Sequence, residues 1–351
     1  MVRDEEGLNT GAWPVPAGEF VTPVHSFFTR SHAPVPDINL ATWRLEVDGL
    51  VAHPRSFSLE ELGRAFPRRE VMATLVCAGL RRDEFLSLGA LPGELPWGPE
   101  PAGTGRWSGV ALRDLLQSVG VSQRARHVEF VGLDRVERHG EEFGFGGSID
   151  LDKALTADVL LASELDGALL PAVHGFPLRT IVPGWIGARS VKWLSRISLL
   201  EEPSFNYFQR RAYRVQRELD PADPRDVSAG DPLSAVPLNA VILEPVTDQV
   251  VPAGRVKVRG WAMGSDAAPL SAVEVSPNDG KDWVRARIAV QGSAWTWSLW
   301  ESELELAPGS HTLVARATDA AGHTQPETVR ETWNVKGYCN NAWHRVAVRA
   351  E

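Results

Sequence analysis

Two cysteines, Cys77 and Cys339, are all that the 351 residues contain. They stand far apart in unlike surroundings, so neither a disulfide framework nor a four-cysteine zinc site is open to the chain, and the count suits a reducing compartment. No run of about 18 apolar residues occurs, as a membrane-spanning helix would need, and the opening MVRDEEGLNTGAW lacks the basic-then-apolar pattern of a secretory leader. The expectation is a protein that enters no membrane and is cytoplasmic, or periplasmic if a leader was removed beforehand. The C-x-x-C-H of attached haem is missing, and so is a G-x-G-x-x-G that opens a helix after a strand. Positive charge is short as well: a net charge of -9 disfavours nucleic acids and anionic membranes as partners, although a local basic pocket stays possible. Tyrosine is scarce, 3 residues against 13 tryptophans, and most of those indoles are expected in the core.

What is present is the composition of a folded protein, 43% hydrophobic and 23% charged, and the length predicts two domains. TWRLEVDGL alternates Trp43, Leu45 and Val47 and reads as a half-buried strand ending at Asp48-Gly49. Ser58 and Glu61 form a capping box for a short helix at LEELGRAF. In ALRDLLQSVG, Leu112, Leu115, Leu116 and Val119 share one helical face that Gly120 terminates. RHVEFVGL is predicted to be a strand, and DVLLASELDGALLP a hairpin turning at Asp166-Gly167. This irregular mixture predicts an α+β arrangement rather than a doubly wound parallel sheet. Between about Leu219 and Pro237 the chain turns to Pro, Asp, Ser and Gly with no apolar period, which marks a linker and places the domains at 1–225 and 226–351. Beyond it, AVILEPV, GRVKVRGWAM, SAVEVSPNDGKDW, AWTWSLW and HTLVARATD alternate with turn clusters, the pattern of an antiparallel β-sandwich. Trp295, Trp297 and Trp300 are spaced like sandwich-core and interface aromatics.

Cys77 lies in VCAGLRR, beside small residues that admit a bulky group and two arginines that favour a thiolate. Taken alone, such a cysteine is more often a small buried apolar residue, and a phosphotransfer or redox thiol fits as well. Three basic clusters change the weighing. FFTRSHAPVP sets Arg30 and His32 two apart in an extended stretch, PAVHGFPLR supplies His174 and Arg179 around Gly175, and WIGARSVKWL supplies Arg189 and Lys192. Donors of this kind suit a ligand carrying a phosphate and a fused heterocycle.

These segments, together with PLNAVI and WNVKGYCNNAWHRV, resemble in the same order the hallmark stretches of sulfite oxidases and assimilatory nitrate reductases, over residues 20–348. The resemblance implies a mixed α/β molybdopterin-binding domain followed by an immunoglobulin-like dimerisation domain, hence a homodimer. It implies Cys77 as the thiolate ligand of an oxo-molybdenum centre, which soft sulfur ligation suits. By the same resemblance Arg30 and His32 contact the cofactor or the oxyanion pocket, and Asp134 bonds the pterin. His174, Arg179, Arg189 and Lys192 hold the cofactor, while Arg82 and Trp97 line the route to the metal. The implied reaction is oxygen-atom transfer on a small anionic substrate, sulfite above all, with electrons passed to an external acceptor such as a cytochrome c. Nitrate, a sulfoxide or another small compound is the alternative substrate, and a non-enzymatic binding protein of this fold is a further one.

Some positions depart from the family pattern. Leu80 replaces the asparagine of CAGNRR. Phe145 stands where sulfite oxidases carry a tyrosine beside the metal, and a ring without a polar atom neither donates nor relays a proton. His139 and Glu142 lie near it in sequence as polar substitutes, although exposure suits both better. Ala272 aligns with an arginine that reaches the substrate, and SLGALPGELPW lacks the family's lysine before Trp97. Gln209 and Tyr213 follow the cofactor motifs without an assigned role. Cys339 reads as an unreactive thiol, and Asn341, Trp343 and His344 as a seal of the domain junction.

Overall fold

A computed structural model describes residues 9–10, 18–219, 228–265 and 268–351. The first domain is built on two sheets. One has the strand order Arg55–Phe57, Leu45–Gly49, Leu194–Leu200, His127–Gly132, Gly146–Asp150. Trp43, Leu45 and Val47 are buried, as their alternation predicts, and they pack with Val128, Phe130 and Leu199. The second sheet orders Ala168–Leu169, Leu160–Leu165, Ala102–Ala111 and Arg68–Val76, with Arg179–Ile181 also on Leu160–Leu165. The predicted hairpin turns at Asp166 and Gly167, both at positive φ, as a two-residue turn requires. Helices are few and short, so the domain is α+β with sheet dominant.

Local signals set the two predicted helices. Leu59–Ala65 starts on Ser58, whose hydroxyl accepts from the Glu61 N–H at 3.1 Å while the Glu61 carboxylate accepts from the Ser58 N–H at 2.7 Å. Ser58→Ala is expected to lower stability by about 1 kcal/mol, measured by chemical denaturation, because both end groups lose their shared geometry. Leu112–Val119 buries the four predicted residues and ends at Gly120, φ 71°.

The second domain is the predicted sandwich. One sheet runs Asn239–Glu244, Gly254–Met263, Ser298–Leu306, Arg287–Val290; the other runs Gln249–Val251, His344–Ala350, Gly309–Asp319, Leu270–Ser276, Val284–Arg285. Val258, Trp300, Val275, Leu313 and Val346 fill the space between them. One pairing departs from the antiparallel expectation. After Glu244 the chain crosses to the opposite sheet and lies along His344–Ala350 in the same direction. The expected domain boundary, at 225/226, lies outside the described residues.

The two domains meet at the cysteine. Ala78 and Leu80 share an apolar cluster with Trp261, Met263 and Trp297 of the sandwich. The segment around Trp297 hydrogen-bonds along the edge strand Arg68–Val76: the Thr74 N–H donates to the Trp295 carbonyl at 2.9 Å, and the Trp297 N–H donates to the Thr74 hydroxyl at 2.9 Å. The strand that delivers Cys77 is thus covered on its open side.

Candidate active site

Cys77 follows the last residue of the strand Arg68–Val76. Its N–H donates to the Pro101 carbonyl at 2.9 Å, its carbonyl accepts from the Leu80 N–H at 3.0 Å, and the Gly79 N–H points at its sulfur at 3.4 Å. Gly79 is dictated by the neighbouring guanidinium, since a Cβ there would lie 2.9 Å from the Arg82 side chain. Arg81 closes the turn with φ 57°. The sulfur side chain is 8% exposed and borders two cavities.

The first cavity gathers Arg30, His32, Asp134, Phe145, His174, Arg179 and Lys192 around Cys77, from segments far apart in the chain. Its electrostatics are unbalanced. Lys192 Nζ donates to the Ser31 hydroxyl at 2.7 Å and to the Val173 carbonyl at 3.0 Å, and burial pushes its pKa down to about 7. Arg179, brought down to about 9 by burial, donates to the carbonyls of His174 at 2.8 Å and Ser190 at 3.0 Å, which fixes the two loops on either side of it. His174 is pushed down to about 4 by burial, then by the Arg179 charge, and is neutral. Among the described residues the only carboxylate in the lining, Asp134, already accepts from the Phe145 N–H at 2.9 Å, and burial raises its pKa. Among the described residues no ion pair reaches Arg30, Arg179 or Lys192. Buried cations without counter-charge are costly, so this wall is suited to an anionic ligand.

Two expected residues lie elsewhere. Arg189 is buried behind the wall, its guanidinium spent on the Leu233 carbonyl at 3.0 Å and the Phe208 carbonyl at 3.3 Å; the face it leaves to the cavity is Gly187, Ala188 and Ser190. Trp97 is fully buried and lines neither cavity. Arg82 does reach the second cavity, held by the carbonyls of Leu95 at 3.1 Å and Lys336 at 3.0 Å and by Glu94 at 3.3 Å.

The departures sort themselves by position. Leu80 is 2% exposed in the junction cluster and touches neither cavity, so the apolar substitution serves packing. Ala272 lies in the strand Leu270–Ser276, opposite Thr318, and its methyl group is in neither cavity lining. Phe145 does face Cys77's cavity, stacked on His32 at 5.3 Å and tilted against Phe208 at 4.4 Å. His139 and Glu142 are exposed, Glu142 paired with Arg135 at 2.5 Å, and neither replaces the missing phenol. Gln209 Oε1 accepts from the Ser148 N–H at 3.4 Å and serves packing. Cys339 is raised to about 12 by burial and stays a thiol.

Three charged lining residues, Arg138, Glu94 and Lys336, are not marked by any sequence motif role. They join Arg30 and Arg82 around the second cavity, with Lys336 3.0 Å from Glu94. Lys336 thus brings a lysine to this cavity from the C-terminal loop. Tyr213 lines both cavities. Nothing in sequence flagged Arg138 or Glu94. Lys336 stood inside a motif, WNVKGYCNNAWHRV, where only the polar and aromatic closing residues drew notice. At the junction itself the Asn340 amide donates to the Arg81 carbonyl at 2.9 Å and to Glu84 at 3.0 Å, and His344, one of the residues expected there, lies 3.8 Å from the same Glu84.

Residues 32–208 match the model of the oxidoreductase molybdopterin-binding domain, and residues 231–351 that of the Mo-co oxidoreductase dimerisation domain. The chain is 38% identical to the sulfite oxidase of Gallus gallus over 94% of its own length and 73% of that protein. The chain belongs to the sulfite oxidase family. It is a molybdopterin-dependent oxidoreductase. It is also 37% identical to the mitochondrial sulfite oxidase of Homo sapiens, spanning 94% of this chain and 62% of that one. The crystal structure of the sulfane dehydrogenase SoxCD from Paracoccus pantotrophus superposes with a TM-score of 0.79 at 25% identity, covering 96% of this chain and 85% of that one. In this family member the unbalanced cationic cavity beside a buried thiol fits the cofactor's phosphate, pterin and metal.

The Lys192 shift gives a direct check on that fit. Its ammonium is present below about pH 7 and is lost above it, so an anion held there is released as pH rises. Sulfate, whose charge is constant over this range, is expected to bind the cofactor-free protein more weakly as pH passes through about 7 in a calorimetric titration. Lys192→Met should abolish that dependence.

Proposed function

We propose that this family member oxidises sulfite to sulfate as a homodimer and passes two electrons, one at a time, to an external acceptor such as a cytochrome c. The net change is SO₃²⁻ + H₂O giving SO₄²⁻, two protons and two electrons. The observation that carries the reading is the second cavity, where Arg30, Arg82, Arg138 and Lys336 face Cys77 against a single carboxylate, Glu94. Such a mouth admits a small dianion and disfavours a neutral or cationic substrate. When bound, the molybdenum cofactor supplies oxygen-atom transfer and accepts the electron pair. The chain does the rest. Cys77 would be the metal's protein ligand and Lys192 and neutral His174 would hold the cofactor's phosphate, while Asp134 fixes the Phe145 loop by accepting its N–H. Arg179 stands in the wall and fixes the loops on either side of it, and Arg189 supports the wall from behind. Arg82, clamped by carbonyls and Glu94, presents a fixed positive edge that needs no reorganisation when the anion arrives.

The test is a substrate panel on molybdenum-loaded protein with an artificial electron acceptor, comparing sulfite, nitrate, sulfoxides and amine oxides. Sulfite-dependent reduction of the acceptor is the expected result. Its absence, with turnover of another member of the panel, would overturn the substrate and leave the family intact. A cytoplasmic location belongs to the same proposal, and fractionation of the native cells checks it.

A further inference from the structure

Four residues line both cavities: Arg30, His32, Cys77 and Tyr213. Three belong to motifs expected to carry chemistry, while Tyr213 sits in the chain's FQRRAYRV stretch, which carried no assigned role. Its backbone is unusual. Tyr213 adopts φ 53°, a left-handed conformation that bulky residues avoid, and the Leu233 N–H donates to its carbonyl at 2.8 Å, which keeps it there. Strain of this sort, held by the surroundings, concentrates where a side chain must occupy one place.

The hydrogen-bond chain then fixes where its proton points. Arg30 Nη2 lies 3.4 Å from His32 Nδ1, and a guanidinium only donates, so Nδ1 carries the lone pair. The His32 ring is neutral, held so by burial and then by the Arg30 charge, so its hydrogen is on Nε2. That nitrogen is 2.9 Å from the Tyr213 oxygen and donates to it. The phenol oxygen accepts from His32, and its own hydrogen is left to point elsewhere. Phe145, 6.2 Å away ring to ring, has no polar atom to receive it, and Tyr338 lies face to face with the Tyr213 ring at 5.3 Å.

We infer that the Tyr213 hydroxyl donates a hydrogen bond to an oxygen of the oxyanion substrate where the two cavities meet, supplying from another segment the phenol that position 145 lacks. The inference rests on an oxyanion substrate, as proposed above. Arg30 and His32 are the groups that aim it: the first sets the tautomer and the second occupies the oxygen's acceptor side. Burial raises Tyr213 to about 12, so the phenol keeps its hydrogen throughout the neutral range.

The test is sulfate binding to the molybdenum-loaded protein, read by calorimetry, with Tyr213→Phe against wild type. A hydrogen bond to a charged partner makes the expected loss roughly tenfold to a hundredfold in affinity, with molybdenum content unchanged and only a small fall in melting temperature from the His32 N–H that loses its acceptor. The double variant Tyr213→Phe with Phe145→Tyr is expected to recover much of the loss, which a merely structural tyrosine would not allow. Wild-type affinity in Tyr213→Phe overturns the inference. A measurement that leaves the fold untouched guards against a variant that fails to assemble. The chain has 3 tyrosines, so 3-fluorotyrosine labelling gives three fluorine resonances, assigned with Tyr207→Phe and Tyr338→Phe. The Tyr213 resonance should shift along the sulfate binding curve, and its failure to move while sulfate binds overturns the inference equally. Failure of the sulfite reading is separate, since it appears as wild-type protein that turns over no sulfite.

Discussion

Replacing Cys77 by serine is expected to lower molybdenum-dependent turnover by about a thousandfold, equivalent to roughly 4 kcal/mol in the barrier. Sulfur is a soft, polarisable donor that suits this metal, whereas a serine hydroxyl is harder and holds its proton far more tightly. The geometry gives the sulfur one place to be: Cys77 follows a covered strand, its N–H and carbonyl are both bonded, and its side chain is 8% exposed between the two cavities. Metal analysis alongside steady-state turnover with an artificial acceptor reads the result. Full turnover in Cys77→Ser at normal molybdenum content would refute the ligand assignment. Cys339→Ser is the matched control. That thiol, raised by burial to about 12, faces the junction and is expected to leave turnover close to wild type.

The second large effect is on stability. Arg81→Ala is expected to cost about 3–5 kcal/mol, the usual consequence of removing one partner of a buried charge pair. Arg81 has no exposure. Its guanidinium donates to both Glu84 oxygens at 2.6 and 2.9 Å and to the Asn239 side chain at 2.8 Å, while its carbonyl accepts from Asn340 at 2.9 Å. Removing it takes from Glu84 its cation and from the Asn239 side-chain oxygen its donor, at the seam between domains. Chemical denaturation of the molybdenum-loaded protein measures the loss. Because Asn340 bonds to the same two residues, Arg81→Ala with Asn340→Ala should cost clearly less than the sum of the single changes. Additive effects would show that the junction network is not a unit.

Where a feature depended on neighbours in sequence, it was legible. The Ser58 box, the face of Leu112–Val119 and the alternation of Trp43, Leu45 and Val47 each follow from backbone geometry over a few residues. The cysteine motif was legible for the same reason: small residues, a tight turn and two arginines lie within seven positions. The cavity walls were not. Alignment in sequence carries no direction in space: Trp97, expected on the route to the metal, is fully buried and lines neither cavity. Arg189 looked like a cofactor donor because it stands between two true wall segments, yet its guanidinium is drawn to carbonyls on the far side.

Sequence alone determined the family and the molybdenum cofactor, and it singled out Cys77, because motif identity and order survive without knowledge of contacts. Only the tertiary structure decided which charges face the cavities beside that cysteine. Lys336 and Arg138 reach the second cavity from loops that local pattern does not connect with Cys77. His32 and Tyr213 form their hydrogen bond across 181 residues of chain. The physical reason is that a cavity is the space left when distant elements pack, so its chemistry is fixed by which side chains that packing turns inward.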